Sequence, residues 1–502
     1  VTATTQQSFE GFGVCIGNIA DFLPAGGRKG TAGSVSAQVY DRLFKSNDPN
    51  SVKLSYLRLS LAASNYKNTA TASYDFTTAV EKTGQGNVIR AARTRNSGIK
   101  LLFSSWTPPY WMKNNNKDYN TEAVTSDPNV TTTNRLKTDQ YSNYASLLKT
   151  FCNNFNTKFG FYPHALSLQN EPDMNVQYGS CVFTADQYKG LLTATRNAFG
   201  WSHPTQLWGP ELGGSAGIRT DYVSAIANAG LLNAIAQHPY NGDTGLLPDW
   251  AKNNLKVHQT EYAALGEENH NNDEQYIAAN SINKFCRDAN RGKVSSWFHW
   301  NAVGVKLPNA GKDIAESLLA ADAYSNPSTV YKSIDQTDAT SGAWVSTQGV
   351  WNLNDNTKYP ADGSEYSAQW GLEFNTYKLT PLYYAFRRLS HSVTPGSVSR
   401  RTSVTPSLAD GTGSQDDVYA AGFKRSDGKY CLVVANTSKT TSYNSTLKIN
   451  ELSTSGSKGF NTYYTSSDGT GPKNDVSWTT ELINGQTATT LYPRSVTIFV
   501  QQ

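Results

Sequence analysis

Two glutamates in this sequence stand where carboxylates can break bonds. Glu171 lies in SLQNEPDM, residues 167–174, directly behind the apolar run ALSL, and Glu261 ends the run LKVHQTEY, residues 255–262. A pair of carboxyls flanking one bond is what glycosidic cleavage requires, and in its retaining form the two lie roughly 5–5.5 Å apart. The residues around them suit that chemistry. Asn170 is placed to hydrogen-bond a sugar hydroxyl, Tyr262 follows Glu261, and His238 with Tyr240 end the run AIAQHPY. Arg58 in YLRLSL would, if buried, hold Glu261 ionised, as a neighbouring cation does for a carboxylate. Trp106, Trp111 and Trp300 offer flat apolar faces on which pyranose rings stack. Taken singly, each of these is more often a packing or solvated residue; together they would line one rim.

Such a rim needs elements that bring distant segments together. Eight strand-like runs recur: EGFGVCIG (10–17), YLRLSL (56–61), KLLFSSW (100–106), ALSLQNEP (165–172), TQLWGPEL (205–212), AIAQHPY (234–240), LKVHQTEY (255–262) and SSWFHWNA (295–302). Amphipathic stretches separate them, among them one in which Leu136, Tyr141, Tyr144, Leu148, Phe151 and Phe155 recur at helical spacing. Alternation of this kind predicts an α/β fold, a (β/α)₈ TIM barrel, rather than an open doubly wound sheet. In a barrel the fourth and seventh strands face each other across the mouth, which would set Glu171 opposite Glu261. The barrel is expected over 9–393, with a long loop at 303–380 after the eighth strand and the helix-like TPLYYAFRRLSHSV closing it. From 394 to 502 the texture changes to alternating strands and turns, and residues 1–8 are expected to join them in an antiparallel β-sandwich side domain.

The 502 residues carry 44 Lys and Arg against 40 Asp and Glu, a net charge of only +4. Basic clusters are short (Arg387-Arg388, Arg400-Arg401), so no nucleic-acid partner is expected. No run approaches the ~18 apolar residues of a membrane span, so no membrane partner is expected either. A start at Val1, a polar composition and sequons at Asn129, Asn436 and Asn444 point to a secreted, extracellular glycoprotein, read as a monomer. The five cysteines (15, 152, 181, 286 and 431) are spaced too widely for zinc, and one or two disulfides with a free thiol are expected. The seven histidines form no H-E-x-x-H, and GFGVCIG is not a G-x-G-x-x-G. Neither metal nor cofactor is expected.

WTPPYWMK (106–113), SLQNEPD (167–173), HPY (238–240), QTEY (259–262) and FHW (298–300) together resemble glycoside hydrolase family 30. The resemblance runs in order along nearly the whole chain, to YPRSVTIFV near its end. It implies a retaining enzyme with a barrel joined to a β-sandwich built from both chain ends, Glu171 as acid/base and Glu261 as nucleophile. As general acid, Glu171 is expected to have its pKa raised by the charge of Glu261. QNEPD is most similar to the xylanase branches, so the expected substrate is a plant cell-wall polysaccharide, xylan, cut internally. Branches that read a glucuronic acid side group carry an Arg after the strand-eight motif; this chain has NAVGVKLPNAGK, with Lys306. A β-1,6-linked glucan or galactan is the alternative substrate.

Two readings from other classes compete. GGSAG (213–217) matches the G-x-S-x-G elbow of serine esterases, with Ser215 as nucleophile, although Pro210 and Glu211 interrupt its approach. A carbohydrate-binding protein without hydrolysis would keep the aromatic rim but would not need both glutamates.

Overall fold

The structure, a computed structural model, describes residues 5–16, 35–81, 83–176, 178–213, 219–240, 244–264, 274–300, 302–306, 319–324, 373–404, 417–467 and 472–502. Eight parallel strands close into a barrel: β2 (Gly11–Cys15), β3 (Tyr56–Ala62), β4 (Lys100–Thr107), β5 (Ala165–Ser167), β6 (Gln206–Leu212), β7 (Ala234–Gln237), β8 (Lys256–Gln259) and β9 (Val294–His299). All eight match the eight apolar runs, with β3, β4 and β9 each reaching one residue beyond theirs. Both faces of these strands are buried, so the alternation shows in residue type rather than in exposure. On β3, Leu57, Leu59 and Leu61 join the core beneath the surrounding helices. Tyr56 instead packs with Leu102, Ala165, Trp208, Ala234, Ala236 and Phe298 to fill the lumen. Two residues further up the inward row of β3 comes Arg58, and the polar site sits on that layer.

Local signals hold the helices. Thr184 and Gln187 form a reciprocal capping box ahead of the helix Ala185–Phe199. The helix Tyr141–Phe159 stops at Gly160, whose φ of 78° a side chain would resist. Thr380 caps the helix Pro381–Ser392, with Pro in its first turn. Leu136, expected as part of that helical stretch, lies outside the helix and makes an isolated bridge with Lys113 instead.

The remaining strands form two further sheets. β10 (Val303–Lys306), β11 (Leu319–Tyr324) and β12 (Glu373–Leu379) make a three-stranded sheet, so the segment expected as one long loop contains regular structure. The rest of 303–380, save Thr380, lies outside the described residues. Nine antiparallel strands follow: β1 (Thr5–Ser8), β13 (Val398–Arg400), β14 (Val418–Lys424), β15 (Tyr430–Asn436), β16 (Tyr443–Lys448), β17 (Ser457–Ser467), β18 (Pro472–Ile483), β19 (Gln486–Leu491) and β20 (Ser495–Gln501). They pair in the order β1-β13-β14-β15-β20-β17-β18-β19-β16. On β14 (Val418–Lys424), Tyr419, Ala421 and Phe423 enter the barrel's core. Val418 and Ala420 pack the other way, with Phe460, Leu482, Leu491 and Phe499. The sheet therefore curls over a second core of its own and presents its other face to the barrel.

Three side expectations meet the structure differently. All five cysteines are buried free thiols, which removes the expected disulfides. Asn436 is 1% exposed and donates its amide to Thr441, Leu491 and Tyr492 carbonyls, so that sequon is a structural cap and no glycan acceptor in the folded chain. Asn129 and Asn444 are exposed. Among the described residues no helix is long and apolar enough to cross a membrane.

Candidate active site

The C-terminal strand ends of the barrel converge on one buried ionic cluster. Arg58, from β3, is 2% exposed and shared among three oxygen-bearing partners, with Cys15 Sγ a fourth contact at 3.7 Å. Its Nη1 donates to Glu261 Oε2 at 2.6 Å, its Nη2 to Asn170 Oδ1 at 2.6 Å, and its Nε to Glu211 Oε1 at 3.1 Å. A guanidinium has only donors, so Asn170 must turn its oxygen to Arg58 and keep its Nδ2 amide for another partner. Tyr240 donates to Glu261 Oε1 at 2.8 Å, and Tyr178 to Glu171 Oε2 at 2.6 Å. His238 sits among all three carboxylates. Its Nδ1 lies 3.4 Å from Glu171 and 3.8 Å from Glu261, and its Nε2 3.4 Å from Glu211.

Backbone geometry at this rim is unusual. Glu171 and Glu211 both adopt left-handed conformations, φ 48° and 57°, and the Glu171 amide donates to the Glu211 carbonyl at 3.1 Å. For an L-residue each such conformation costs roughly 1–2 kcal/mol, here at two neighbouring strand ends that must turn carboxyls into the mouth. Gly213 leaves the room that Glu171 uses: a Cβ there would stand 2.2 Å from Glu171 Oε1.

Charge follows from this arrangement. Burial alone would suppress a proton on His238, but the charge of Glu261 and the hydrogen bonds of Glu171 and Glu211 outweigh it and raise its pKa to about 9. Burial opposes the charge on Glu211 as well, yet Arg58 and then His238 hold it far below the usual carboxylate range. Glu171, equally buried, is drawn below its ordinary value by His238 and Tyr178. Burial raises Glu261 despite His238 and Arg58. That order reverses the sequence expectation, in which Glu261 would raise Glu171. The reason is His238, which stands closer to Glu171 than to Glu261. Three carboxyls face two cations, so one proton on the Glu171–Glu261 pair neutralises the cluster, and the pair titrates as a unit.

The aromatic residues divide. Trp106 and Trp300 face each other with ring centroids 5.9 Å apart, Trp106 also meets Tyr178 at 5.7 Å, and Tyr240 meets Tyr262 at 5.8 Å. Trp111 is not brought to this group by any contact among the described residues. Its indole donates to the Lys67 carbonyl and its ring packs on the main core. The short turn Tyr110–Met112 carries it off the strand axis. Ser215 lies outside the described residues. Glu171, His238 and Glu261 each offer a ligand atom, all within 4.8 Å of one another, a donor set a divalent cation would accept. The Arg58 guanidinium 2.6 Å from Glu261 already supplies the positive charge there, so the set does not fit a resident metal.

Sequence reasoning missed Glu211, Tyr178 and Ser104, whose hydroxyl donates to Glu211. Glu211 ends a strand-like run just as Glu171 and Glu261 do, and that signal was available. Tyr178 sits in the loop VQYGS, where no periodicity marks it.

The fold is shared with known glycoside hydrolases. It is similar to the catalytic domain of a family 30 xylanase C from Talaromyces cellulolyticus, at 18% identity and a TM-score of 0.65, over 100% of this chain and 99% of that one. An endo-β-1,6-glucanase aligns at 16% identity and a TM-score of 0.62, over 100% and 93%. A conserved exported protein from Bacteroides fragilis aligns at 17% and 0.66, over 99% and 98%. No family model matches the chain, and no curated protein matches it in sequence. At these identities the likeness is one of fold.

Proposed function

We propose that this protein is a retaining, endo-acting glycoside hydrolase that cuts xylan by double displacement. The observation that carries the reading is the spacing of the two carboxyls. Facing oxygens of Glu171 and Glu261 lie within 4.8 Å, close to the roughly 5–5.5 Å of retaining enzymes and well short of the roughly 6.5–9.5 Å that seats the water of an inverting one. Glu261 attacks the anomeric carbon, and the glycosidic oxygen leaves with the proton of Glu171. In the second step Glu171 takes a proton from water, which displaces the sugar from Glu261.

Attack requires the shared proton on Glu171. His238 Nδ1 lies within reach of both carboxyls and can pass its proton to Glu171 while receiving one from Glu261, leaving the imidazole unchanged. Arg58 and Tyr240 then hold Glu261 ionised. The Asn170 amide donates to the 2-OH of the reacting sugar, and Trp106 and Trp300 carry flanking rings. The two exposed sequons agree with a secreted protein.

Reducing-end release from glucuronoxylan, arabinoxylan, β-1,6-glucan and β-1,6-galactan tests this, with Glu261→Gln as control. Cleavage of both xylans by the wild type alone is the expected result. Cleavage only of a β-1,6-linked polymer keeps the mechanism and discards xylan. Silence on all four rejects the hydrolase reading in favour of binding without hydrolysis, which a pull-down on the same polymers would register.

A further inference from the structure

Glu211 is fully enclosed behind Arg58, at 0% exposure. It accepts from Arg58 through two bonds, Nε to Oε1 at 3.1 Å and Nη2 to Oε2 at 3.3 Å. The Ser104 hydroxyl closes on the same carboxylate from β4, and His238 Nε2 approaches it from the end of β7. A two-point grip of this kind fixes a guanidinium in its plane as well as in position. With Nε and Nη2 held, Nη1 is directed at Glu261, with Cys15 Sγ as its second contact at 3.7 Å, and Nη2 at Asn170.

We propose that Glu211 is the positioning residue of this site, clamping Arg58 so that one guanidinium aims both the attacking carboxylate and the Asn170 amide. The proposal rests on the double-displacement reading above and adds a residue to it. The clamp has an electrostatic side. Arg58 held against Glu261 alone would place an uncompensated cation beside the nucleophile and weaken its attack. Glu211 offsets that charge from behind, where no substrate group competes for it. The titratable groups around Glu211 are Arg58 from β3, Cys15 from β2, Tyr188 from the helix Ala185–Phe199, and His238, with Glu171 and Glu261 one contact further out. Of these only Arg58 and His238 carry positive charge.

Two substitutions separate charge from reach. Glu211→Asp keeps the charge but withdraws the carboxyl by one methylene. It should lower kcat on the polymer the wild type cleaves by about 100-fold, the scale of a 1 Å misplacement, with KM and the pH profile nearly unchanged. Glu211→Gln keeps the reach but removes the charge. Arg58 and His238 then act on Glu171 and Glu261 unopposed, so both limbs of the pH profile should move to lower pH by about one unit. The imidazole of His238, followed by NMR with ¹⁵N-histidine, should titrate below its wild-type midpoint, a readout that needs no turnover. Wild-type kcat in Glu211→Asp overturns the clamp. An unmoved profile and an unmoved His238 midpoint in Glu211→Gln overturn the charge role. If Glu211→Gln does not fold, Glu211→Asp alone decides. A wild type silent on every polymer would strike the function and the aiming role with it, while the His238 titration would still decide the charge role of Glu211.

Discussion

On the proposed mechanism, the residues of the cluster divide into those that would touch the sugar and those that set the state of the others. Glu171 and Glu261 belong to the first group, and their roles separate by leaving group. Glu171→Ala should retain cleavage of activated aryl glycosides, which need no leaving-group proton, while losing polymer cleavage by two orders of magnitude or more. Glu261→Ala should lose both substrates. Equal loss in the two variants would refute the division of roles. Tyr178 belongs to the second group. Its phenol stabilises the charged form of Glu171, so Tyr178→Phe should raise the proton affinity of that carboxyl. The basic limb of the pH profile should then move to higher pH, opposite in sense to the shift expected for Glu211→Gln. A shift of both in one direction would count against the electrostatic account of the cluster.

At the scale of elements, the strand ends and the lumen beneath them do different work. Gly213 follows β6 and leaves space for the Glu171 side chain. In Gly213→Ala the added methyl would collide with the Glu171 side chain from Oε1 back to Cγ, at 2.2–2.5 Å, with no backbone among its three nearest atoms, so the fold should survive once that side chain turns. Glu171 must swing away, however, and polymer cleavage should fall at least tenfold; full activity would show that its observed rotamer is not the working one. Below the site, His258 of β8 stacks flat on Trp208 of β6 at 3.7 Å, with Ser296 on its Nδ1. Burial lowers its pKa from 6.5 to about 3, and burial likewise lowers His164 to about 4. Both are neutral when folded and take up protons when unfolded below pH 6.5. Stability should therefore fall as pH drops from about 6.5 toward 4 for His164 and toward 3 for His258, by up to about 1.4 kcal/mol per pH unit for each. Urea unfolding across that range should show the slope, and His258→Gln should flatten it if the fold tolerates the change.

At the scale of the molecule, barrel and side domain share one core. Phe9, Phe285 and Phe423 pack across the junction, Phe285 and Phe423 stacked at 5.9 Å, and Arg387 and Arg388 both pair with Asp475. The side domain is thus part of the barrel's wall. Deleting 394–502 should expose that face and yield insoluble protein, and the intact chain should unfold in one calorimetric transition; two separated transitions would show independent domains. Five buried free thiols make a further test. A thiol reagent should label none rapidly in the native protein and all five in denaturant. Fewer than five under non-reducing denaturation would restore a disulfide.

Much of this was legible in the chain itself. Parallel strands buried on both faces must read as short apolar runs, so the barrel could be counted from the sequence, and strand ends in a barrel must share a mouth, so Glu171 and Glu261 could be paired. The curled sheet was legible from its alternation for the same reason. What the tertiary structure decided depends on distances of a few ångströms between residues remote in the chain. Trp111 carries the same flat ring as Trp106, and only the turn between them separates a rim residue from a packing residue. Five cysteines give no sign of their separation. The proton order within the carboxyl pair follows from where His238 stands, and Glu211 gains its meaning from the grip it takes on Arg58, a residue on a different strand. Periodicity records which way a side chain faces; it does not record what meets it there.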